Sequence, residues 1–222
     1  GGMVASGLSG PARAYRGALR DSVLGAEIIN GKGQALRFGG QVMKNVAGYD
    51  AARLMSGAFG TLGVMTKISL RVMPQPEAEL SLCFEASLKD LQDFEADWQR
   101  RSLPLSASYL EDGKLYVRFS GNSDFLNKLK LELSAEEVTD AEDFWQSVCE
   151  QKRDVFAQAK RLWRINLAAD QADLGLPAKT IYEWGGGLRW YAENEDDSLS
   201  AAALAQIVKK QGGQLQLFRG DK

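Results

Sequence analysis

The spacing of apolar residues in the first third of the chain predicts short strands and one short helix. Residues 24–29 and 35–38 are expected to form two short strands, because Asn30-Gly31 between them is a strong hairpin signal. A short helix is predicted where apolar residues recur at helical spacing, namely Ala51, Leu54, Met55 and Ala58. Residues 62–72 are expected to form a strand. Alternation places four residues on its buried face, Val64, Ile68, Leu70 and Val72.

The pattern changes after Pro74 and Pro76, which cannot continue a central strand. Ser87, with Asp90 three residues later, predicts a capped helix that runs to about residue 101. Further helices are predicted at 124–133, 142–159 and 201–211. Strands are predicted at 80–85, 107–110, 115–119, 162–167, 180–184, 188–191 and 214–218. This order predicts an α+β fold in which an antiparallel sheet carries helices on one face, as in ferredoxin-like layers. The expected domains are residues 1–76 and 77–222.

Composition and charge narrow the classes of function. The chain has 222 residues, 27 basic and 29 acidic side chains, and a net charge of −2. This balance does not point to nucleic acid or to an anionic membrane surface. No apolar run is long enough to span a membrane, and no signal peptide is recognised at Gly1. Cys83 and Cys149 are expected to be free thiols in a reducing compartment.

Histidine is absent from the chain. A histidine base, a histidine metal ligand and a histidyl–flavin bond are therefore excluded for these residues. Two cysteines are too few for a structural zinc or an iron–sulfur cluster, so no metal site is expected. The acidic run at residues 193–197 is expected to be a solvated loop, because it lacks the turn glycine of a calcium loop.

Glycines in the first 64 residues mark the candidate ligand-binding segments of the chain. Neither a dinucleotide-binding G-x-G-x-x-G, nor a P-loop, nor a G-x-S-x-G elbow occurs. Three stretches could instead present backbone amides to a ligand: residues 1–5, Ser9-Gly10 with Gly17, and residues 60–64. Simple turns explain the same glycines equally well. In the second half, Arg189 lies among aromatics and fits either a carboxylate clamp or a packed core or subunit contact.

Four motifs carry a family resemblance: GGMVASG at residues 1–7, RDSVLG at 20–25, LRFGGQVMKNVAGYD at 36–50 and GTLGV at 60–64. Residues 1–76 resemble the second half of a PCMH-type FAD-binding domain of the vanillyl-alcohol-oxidase family. Within that family they are similar to FAD-binding subunits of glycolate oxidase (glycolate dehydrogenase). Residues 77–222 are more loosely similar to the cap of the same subunits, through LWRINL at 162–167 and WGGGLRW at 184–190.

The resemblance implies an FAD cleft whose other wall, the first FAD subdomain, would precede Gly1; the C-terminal tail would also be missing. Such a fragment is expected to hold no flavin by itself. The implied cofactor-binding residues are Gly1, Gly2, Ser9, Gly10, Gly17, Asp21, Gly60, Gly63 and Val64. Asp21 could instead cap a turn, and Lys44 could be a flavin-side charge or an exposed loop charge.

The implied activity is oxidation of glycolate, or another small 2-hydroxy acid, to the oxo acid. Electrons would pass to an iron–sulfur partner subunit, in a complex that also contains a catalytic flavoprotein paralogue. The location would be cytoplasmic, or peripheral at the inner membrane through the complex. Catalytic relatives carry an HGDGN-like motif in the cap, which is missing here, so no catalytic residue is named. A non-catalytic assembly subunit with a structural or vestigial flavin site is the alternative.

Overall fold

The computed structural model describes residues 1–40, 50–177, 179–194 and 199–220. The chain divides into two compact units, Gly1–Gln75 and Pro76–Lys222. Lys44 and most of the acidic run lie outside the described residues. The described cysteines, Cys83 and Cys149, are free thiols, as expected.

The first unit is a small antiparallel sheet with short helices. Its elements are α1 (Gly2–Ser6), α2 (Arg13–Arg16), α3 (Leu19–Ser22), β1 (Val23–Ile29), β2 (Ala35–Gly39), α4 (Ala51–Leu54) and β3 (Val64–Leu70). β1 is the central strand, between β2 and β3. The predicted hairpin is confirmed, because the Asn30 side chain accepts hydrogen bonds from the amides of Lys32 and Gln34 across the turn. Val23, Ala26 and Ile28 of β1 supply much of the small core.

The predicted buried face of the third strand is correct at Ile68 but wrong at Val64, Leu70 and Val72. Val64 and Val72 are exposed, at 67% and 86%, whereas Met65 and Ile68 pack against the core. A register shift explains the difference: Glu27 pairs with Lys67, but the next residue, Ile28, pairs with Met65. One extra residue on β3 forms a bulge, which breaks the period of two on which the prediction relied.

The short helix also ends earlier than predicted. Ala52 and Met55 are buried, but Leu54 is 62% exposed, so the predicted apolar face is only partly correct. The chain leaves α4 because Gly57 has a φ of 81° and donates its amide to the carbonyl of Val4 in α1. This contact with another element replaces a second helical turn.

The second unit is built on one eight-stranded antiparallel sheet. In chain order its elements are β4 (Ala78–Glu85), α5 (Leu88–Arg100), β5 (Leu105–Glu111), β6 (Lys114–Gly121), α6 (Ser123–Leu133), β7 (Glu136–Glu137), α7 (Ala141–Cys149), α8 (Asp154–Ala157), β8 (Arg161–Asn166), β9 (Thr180–Glu183), β10 (Leu188–Glu193), α9 (Ala201–Lys210) and β11 (Gln214–Arg219). The strand order is β11-β8-β10-β9-β5-β6-β4-β7. The predicted cap is confirmed at the start of α5, where Ser87 and Asp90 form a capping box.

Helices cover both faces of this sheet, which corrects the prediction of one covered face. Leu110 and Tyr182 belong to the core beneath α5 and α6, and Tyr191 to the core beneath α9. Tyr109 and Ile181, which point the other way, pack with α7 and α8. Central strands covered on both sides carry near-continuous apolar sequence, so simple alternation did not reveal the second layer.

Two smaller predictions in this unit are also corrected. The helix predicted at 142–159 is broken between α7 and α8, where Gln151 has a φ of 54°. Glu193 is only 3% exposed and ends β10, where it pairs with Arg161 and accepts a hydrogen bond of 2.7 Å from the indole of Trp163. The acidic run therefore does not begin as a solvated loop, because its first carboxylate is a buried hydrogen-bond acceptor.

Glu183 is a second buried carboxylate, 3% exposed, and it accepts a hydrogen bond of 2.7 Å from the Trp190 indole. Burial raises the pKa of Glu183 from 4.5 to about 7, because the charged form loses its hydration. The Trp190 hydrogen bond and the positive charge of Arg164 oppose this rise without cancelling it. The folded protein therefore favours the neutral acid.

We expect Glu183→Gln to remove part of the pH dependence of stability. Because the pKa of Glu183 is raised on folding, the wild-type protein loses unfolding free energy as pH rises from about 4.5 to about 7. The full loss is on the order of 3 kcal/mol. Glutamine keeps an oxygen acceptor for Trp190 and does not titrate. Urea titrations followed by tryptophan fluorescence report this unit, since all five tryptophans lie in it. A variant with the wild-type pH slope would contradict the prediction.

Candidate functional site

All nine residues predicted to contact a cofactor lie in the first unit, and none of them is buried. Ser9 and Gly63 are half-buried, and the other seven are exposed: Gly1, Gly2, Gly10, Gly17, Asp21, Gly60 and Val64. They are therefore accessible to a ligand. Their roles as cofactor contacts stay a prediction.

Two of the three glycine stretches are brought together by backbone hydrogen bonds. The amide of Gly57 donates to the carbonyl of Val4 at 3.0 Å, and the amide of Phe59 donates to the carbonyl of Ala5 at 2.9 Å. These bonds attach the loop at residues 57–63 to α1, which begins at Gly2. The stretch at residues 1–5 and the turn that contains Gly60 are thus parts of one continuous wall.

The third stretch forms a separate cluster around the start of α3. The Leu19 amide donates to the Ser9 hydroxyl at 3.4 Å, which ties the Ser9-Gly10 loop to this helix. Asp21 accepts a hydrogen bond of 3.2 Å from the Ala18 amide through its carboxylate, so it caps its own helix. Gly17, with a φ of 87°, makes the turn that leads into the cap. Asp21 and Gly17 therefore have structural roles in this helix start, whether or not they also contact a ligand.

Glycines in these loops differ in whether the fold itself requires them. A Cβ on Gly63 would lie 2.6 Å from the carbonyl oxygen of Ile29, so close strand packing demands glycine there. Gly60 has open space but a φ of 77°, which favours glycine for its backbone conformation. Gly1 and Gly2 have no positive φ, and a Cβ on either of them would have no atom within 4 Å. The described fold therefore does not itself require glycine at these two positions.

Gly7 is a structural residue of this wall that the sequence reasoning missed. It ends α1 with a φ of 64°, and a Cβ there would lie 2.9 Å from both the Cα and the nitrogen of Gly57. Two glycines 50 positions apart allow the two backbones to meet. The GGMVASG motif contained the signal, but its partner in the chain could not be identified from the sequence.

Exposed large apolar side chains are concentrated in the first unit. Eleven of the thirteen that are exposed among the described residues belong to the first unit, although it is the smaller one. Met3 and Phe59, on the two hydrogen-bonded segments, are 57% and 68% exposed. An exposed apolar surface of this kind is typical of a binding face. The wall therefore offers apolar contact area beside its open glycines.

Arg189 is a core residue of the second unit, and the interpretation as a carboxylate clamp is not supported. Its side chain is fully buried over the Tyr182 ring. The guanidinium donates to the carbonyl oxygen of Gly186 at 3.1 Å and to that of Ala172 at 2.7 Å, and also to the carbonyl of Gln171. Arg189 thus fixes the 171–172 segment against the sheet.

The WGGGLRW run makes a strained turn between β9 and β10. Trp184, Gly185 and Gly186 have φ values of 56°, 66° and 93°. The Gly185 amide donates to the Ser108 hydroxyl at 3.1 Å, and a Cβ on Gly185 would lie 2.5 Å from a carboxylate oxygen of Glu95. This close packing explains the glycines of the run by structure alone.

Metal binding is not indicated by the part of the chain that the structure describes, where no group of three or more potential ligands converges. Membrane crossing is likewise not indicated: no described helix is both long enough and apolar enough to span a bilayer.

Comparison with known proteins identifies the relatives of this chain. It is 44% identical over 218 residues to the glycolate oxidase subunit GlcE of Escherichia coli (strain K12), covering 98% of the chain and 61% of GlcE. The chain is similar to GlcE over nearly all of its described sequence. It is also 33% identical over 106 residues to the glycolate oxidase subunit GlcD of Bacillus subtilis (strain 168), covering 46% of the chain and 22% of GlcD. No protein-family model matches the sequence.

One further protein is similar to the chain in sequence, and one solved structure is similar to it in fold. A D-lactate dehydrogenase of Archaeoglobus fulgidus is 30% identical over 112 residues, covering 50% of the chain and 25% of that enzyme. The solved structure of an alkyldihydroxyacetonephosphate synthase superposes with a TM-score of 0.64 at 15% identity, over 97% of the chain and 52% of that protein. The α+β class and the resemblance to glycolate oxidase subunits are confirmed. The chain spans about three fifths of the length of GlcE.

We expect Gly7→Ala to destabilise the first unit by about 1–3 kcal/mol more than Gly60→Ala does. Both residues have positive φ, but only Gly7 lies against another backbone, so the difference isolates the contact with Gly57. Hydrogen exchange of the β1 amides measures this difference in stability. Tryptophan fluorescence cannot report it, because the first unit contains no tryptophan. Equal loss of protection in the two variants would mean that the backbone approach is unimportant.

Proposed function

We propose that this GlcE relative is part of the FAD-binding subunit of a glycolate oxidase complex. Residues 1–76 would be the second half of the FAD-binding domain, and residues 77–222 the cap. The observation that carries the proposal is the wall formed by α1 and the loop at 57–63, joined by the Val4–Gly57 and Ala5–Phe59 hydrogen bonds. The 44% identity to GlcE over 98% of the chain supports it.

The described residues fit a large planar cofactor with a polar chain. Gly1 and Gly2 leave open space where side chains would stand, so a ligand can reach the backbone there. Met3 and Phe59 supply exposed apolar area for a ring system. Val64, at the start of β3 and next to the Gly60–Gly63 turn, is 67% exposed. These residues would bind and orient the flavin.

FAD, when bound, would supply the redox chemistry, accepting two electrons from a 2-hydroxy acid such as glycolate. The named activities of the relatives support this substrate class, since they are glycolate oxidase subunits and D-lactate dehydrogenases. In the proposed assembly a GlcD-like flavoprotein and an iron–sulfur subunit would be the partners, and electrons would leave through the latter. The role of this chain is to hold the cofactor.

A second candidate, an assembly subunit without its own catalysis, is favoured by the state of Arg189. This conspicuous cation of the cap is fully buried and donates to three backbone carbonyls, so it presents no guanidinium to a substrate carboxylate. In this case the flavin of the subunit would be structural, and oxidation would occur on the paralogue. The two candidates differ in flavin reduction and not in flavin binding.

Stopped-flow reduction of the isolated full-length subunit by glycolate separates the two candidates. If the subunit is catalytic, bound FAD is bleached at a rate that saturates with glycolate concentration. FAD that is bound but stays oxidised until the GlcD-like partner is added supports the assembly role. A full-length subunit that contains no FAD contradicts the catalytic candidate and a structural flavin, and leaves an assembly subunit with a vestigial site.

We expect Gly2→Leu to reduce the FAD content of the full-length subunit at least about tenfold, because a side chain would occupy the open space on the wall. Gly31→Leu is the matched control. Gly31 is also exposed, with no atom near a Cβ, but it lies in the β1–β2 turn. FAD per protein is measured by absorbance after denaturation, and hydrogen exchange of β1 verifies folding. Equal FAD in both variants would argue against Gly2 as a contact.

A further inference from the structure

Phe59 is an outlier of the backbone. Among the described residues, seven that are not glycine have a positive φ, and Phe59 is one of them, with a φ of 50°. Five of the others are small or polar: Ser102, Asp112, Ser134, Asp140 and Gln151. Trp184 is bulky, but it is buried and packs in a core cluster. Phe59 alone in this described set is both bulky and exposed, at 68%.

The turn that contains Phe59 favours other residue types. The carbonyl of Ala58 accepts hydrogen bonds from the amide and the hydroxyl of Thr61, at 2.9 and 2.6 Å, which closes a turn at residues 58–61. Both central residues, Phe59 and Gly60, have positive φ, at 50° and 77°. Asparagine, aspartate and glycine dominate such turns, because a bulky side chain meets its own backbone there. Phenylalanine at the first central position therefore costs stability.

Packing among the described residues does not offset this cost. Phe59 belongs to none of the apolar clusters that those residues form. Backbone hydrogen bonds hold it in place: its amide donates to the carbonyl of Ala5 at 2.9 Å, and the Ala5 amide donates to the carbonyl of Gly1 at 2.9 Å. Phe59 is thus fixed against α1, two hydrogen bonds from the open space at Gly1.

We propose that Phe59 is held in this conformation to stack its ring on a flat ring of FAD. The inference rests on the proposed FAD site and adds to it a residue that positions the cofactor. Strained backbone that persists without packing is typical of ligand clamps. An aromatic side chain gains contact area and stacking energy on a flat heterocycle, whereas asparagine would suit the turn but could not stack. The turn is therefore less stable than it could be, and the difference serves binding.

Phe59→Asn in the full-length subunit tests this trade, because it changes stability and binding in opposite directions. In the FAD-free protein, we expect the β1 amides to exchange at least about threefold more slowly than in the wild type, since asparagine tolerates the positive φ. The dissociation constant for FAD, measured by fluorescence titration, is expected to rise at least about fivefold, because the stacking ring is lost.

Two further variants serve as controls. Phe59→Tyr keeps the ring, and its dissociation constant for FAD is expected to stay within about twofold of the wild-type value. Val72→Asn removes another exposed apolar side chain of the first unit, 86% exposed and beyond the end of β3, and is expected to leave FAD binding unchanged. The visible spectrum of bound FAD then identifies the stacked ring: it shifts in Phe59→Asn for the isoalloxazine and stays the same for the adenine.

Four results would overturn the inference. Equal FAD affinity in Phe59→Asn and wild type would remove Phe59 from the site and leave the proposed FAD site intact. Faster β1 exchange in Phe59→Asn would make Phe59 a structural residue. Loss of affinity in Phe59→Tyr equal to that in Phe59→Asn would exclude stacking. A wild-type full-length subunit that binds no FAD would overturn both this inference and the proposed FAD site.

Discussion

The approach of two backbones at Gly7 and Gly57 is the contact on which the candidate site depends. It lets α1 lie against the loop at 57–63, and the hydrogen bonds from Gly57 and Phe59 then hold the two segments in register. Without that approach, Gly1 and Gly60 would belong to unrelated turns. A wall for a ligand arises because two short segments, each too small to form a site, share backbone donors and acceptors.

The second unit obeys a different constraint, which is burial on both faces of its sheet. Polar groups in such a sheet must find partners inside the protein, because water does not reach them. Arg189 therefore binds backbone carbonyls, and Glu193 takes its hydrogen bonds from Arg161 and Trp163. These two charged residues thus serve the architecture of the sheet.

The two units differ in what they expose. The first unit offers open glycines and exposed apolar side chains, which are the residues on which the proposed FAD site rests. The second unit is well packed, and its Arg189 is buried in the core.

Local signals in the sequence determined the short-range structure of this protein. Asn30-Gly31 predicted its hairpin, and Ser87 with Asp90 predicted the start of α5, because turns and caps are decided by neighbouring residues. The glycine motifs place the predicted site in the first unit, and this site stays a prediction. Their resemblance to glycolate oxidase subunits agreed with the relationship to GlcE.

Only the tertiary structure decided the features that depend on distant residues. The bulge in β3 turned Val64 outward, and contact between α1 and Gly57 ended α4 early. Burial on the second face of the sheet placed α7 and α8. Such features arise from packing between elements, and a local sequence pattern does not specify which elements pack together. For this reason the sequence located the glycines, and the fold determined which of them meet.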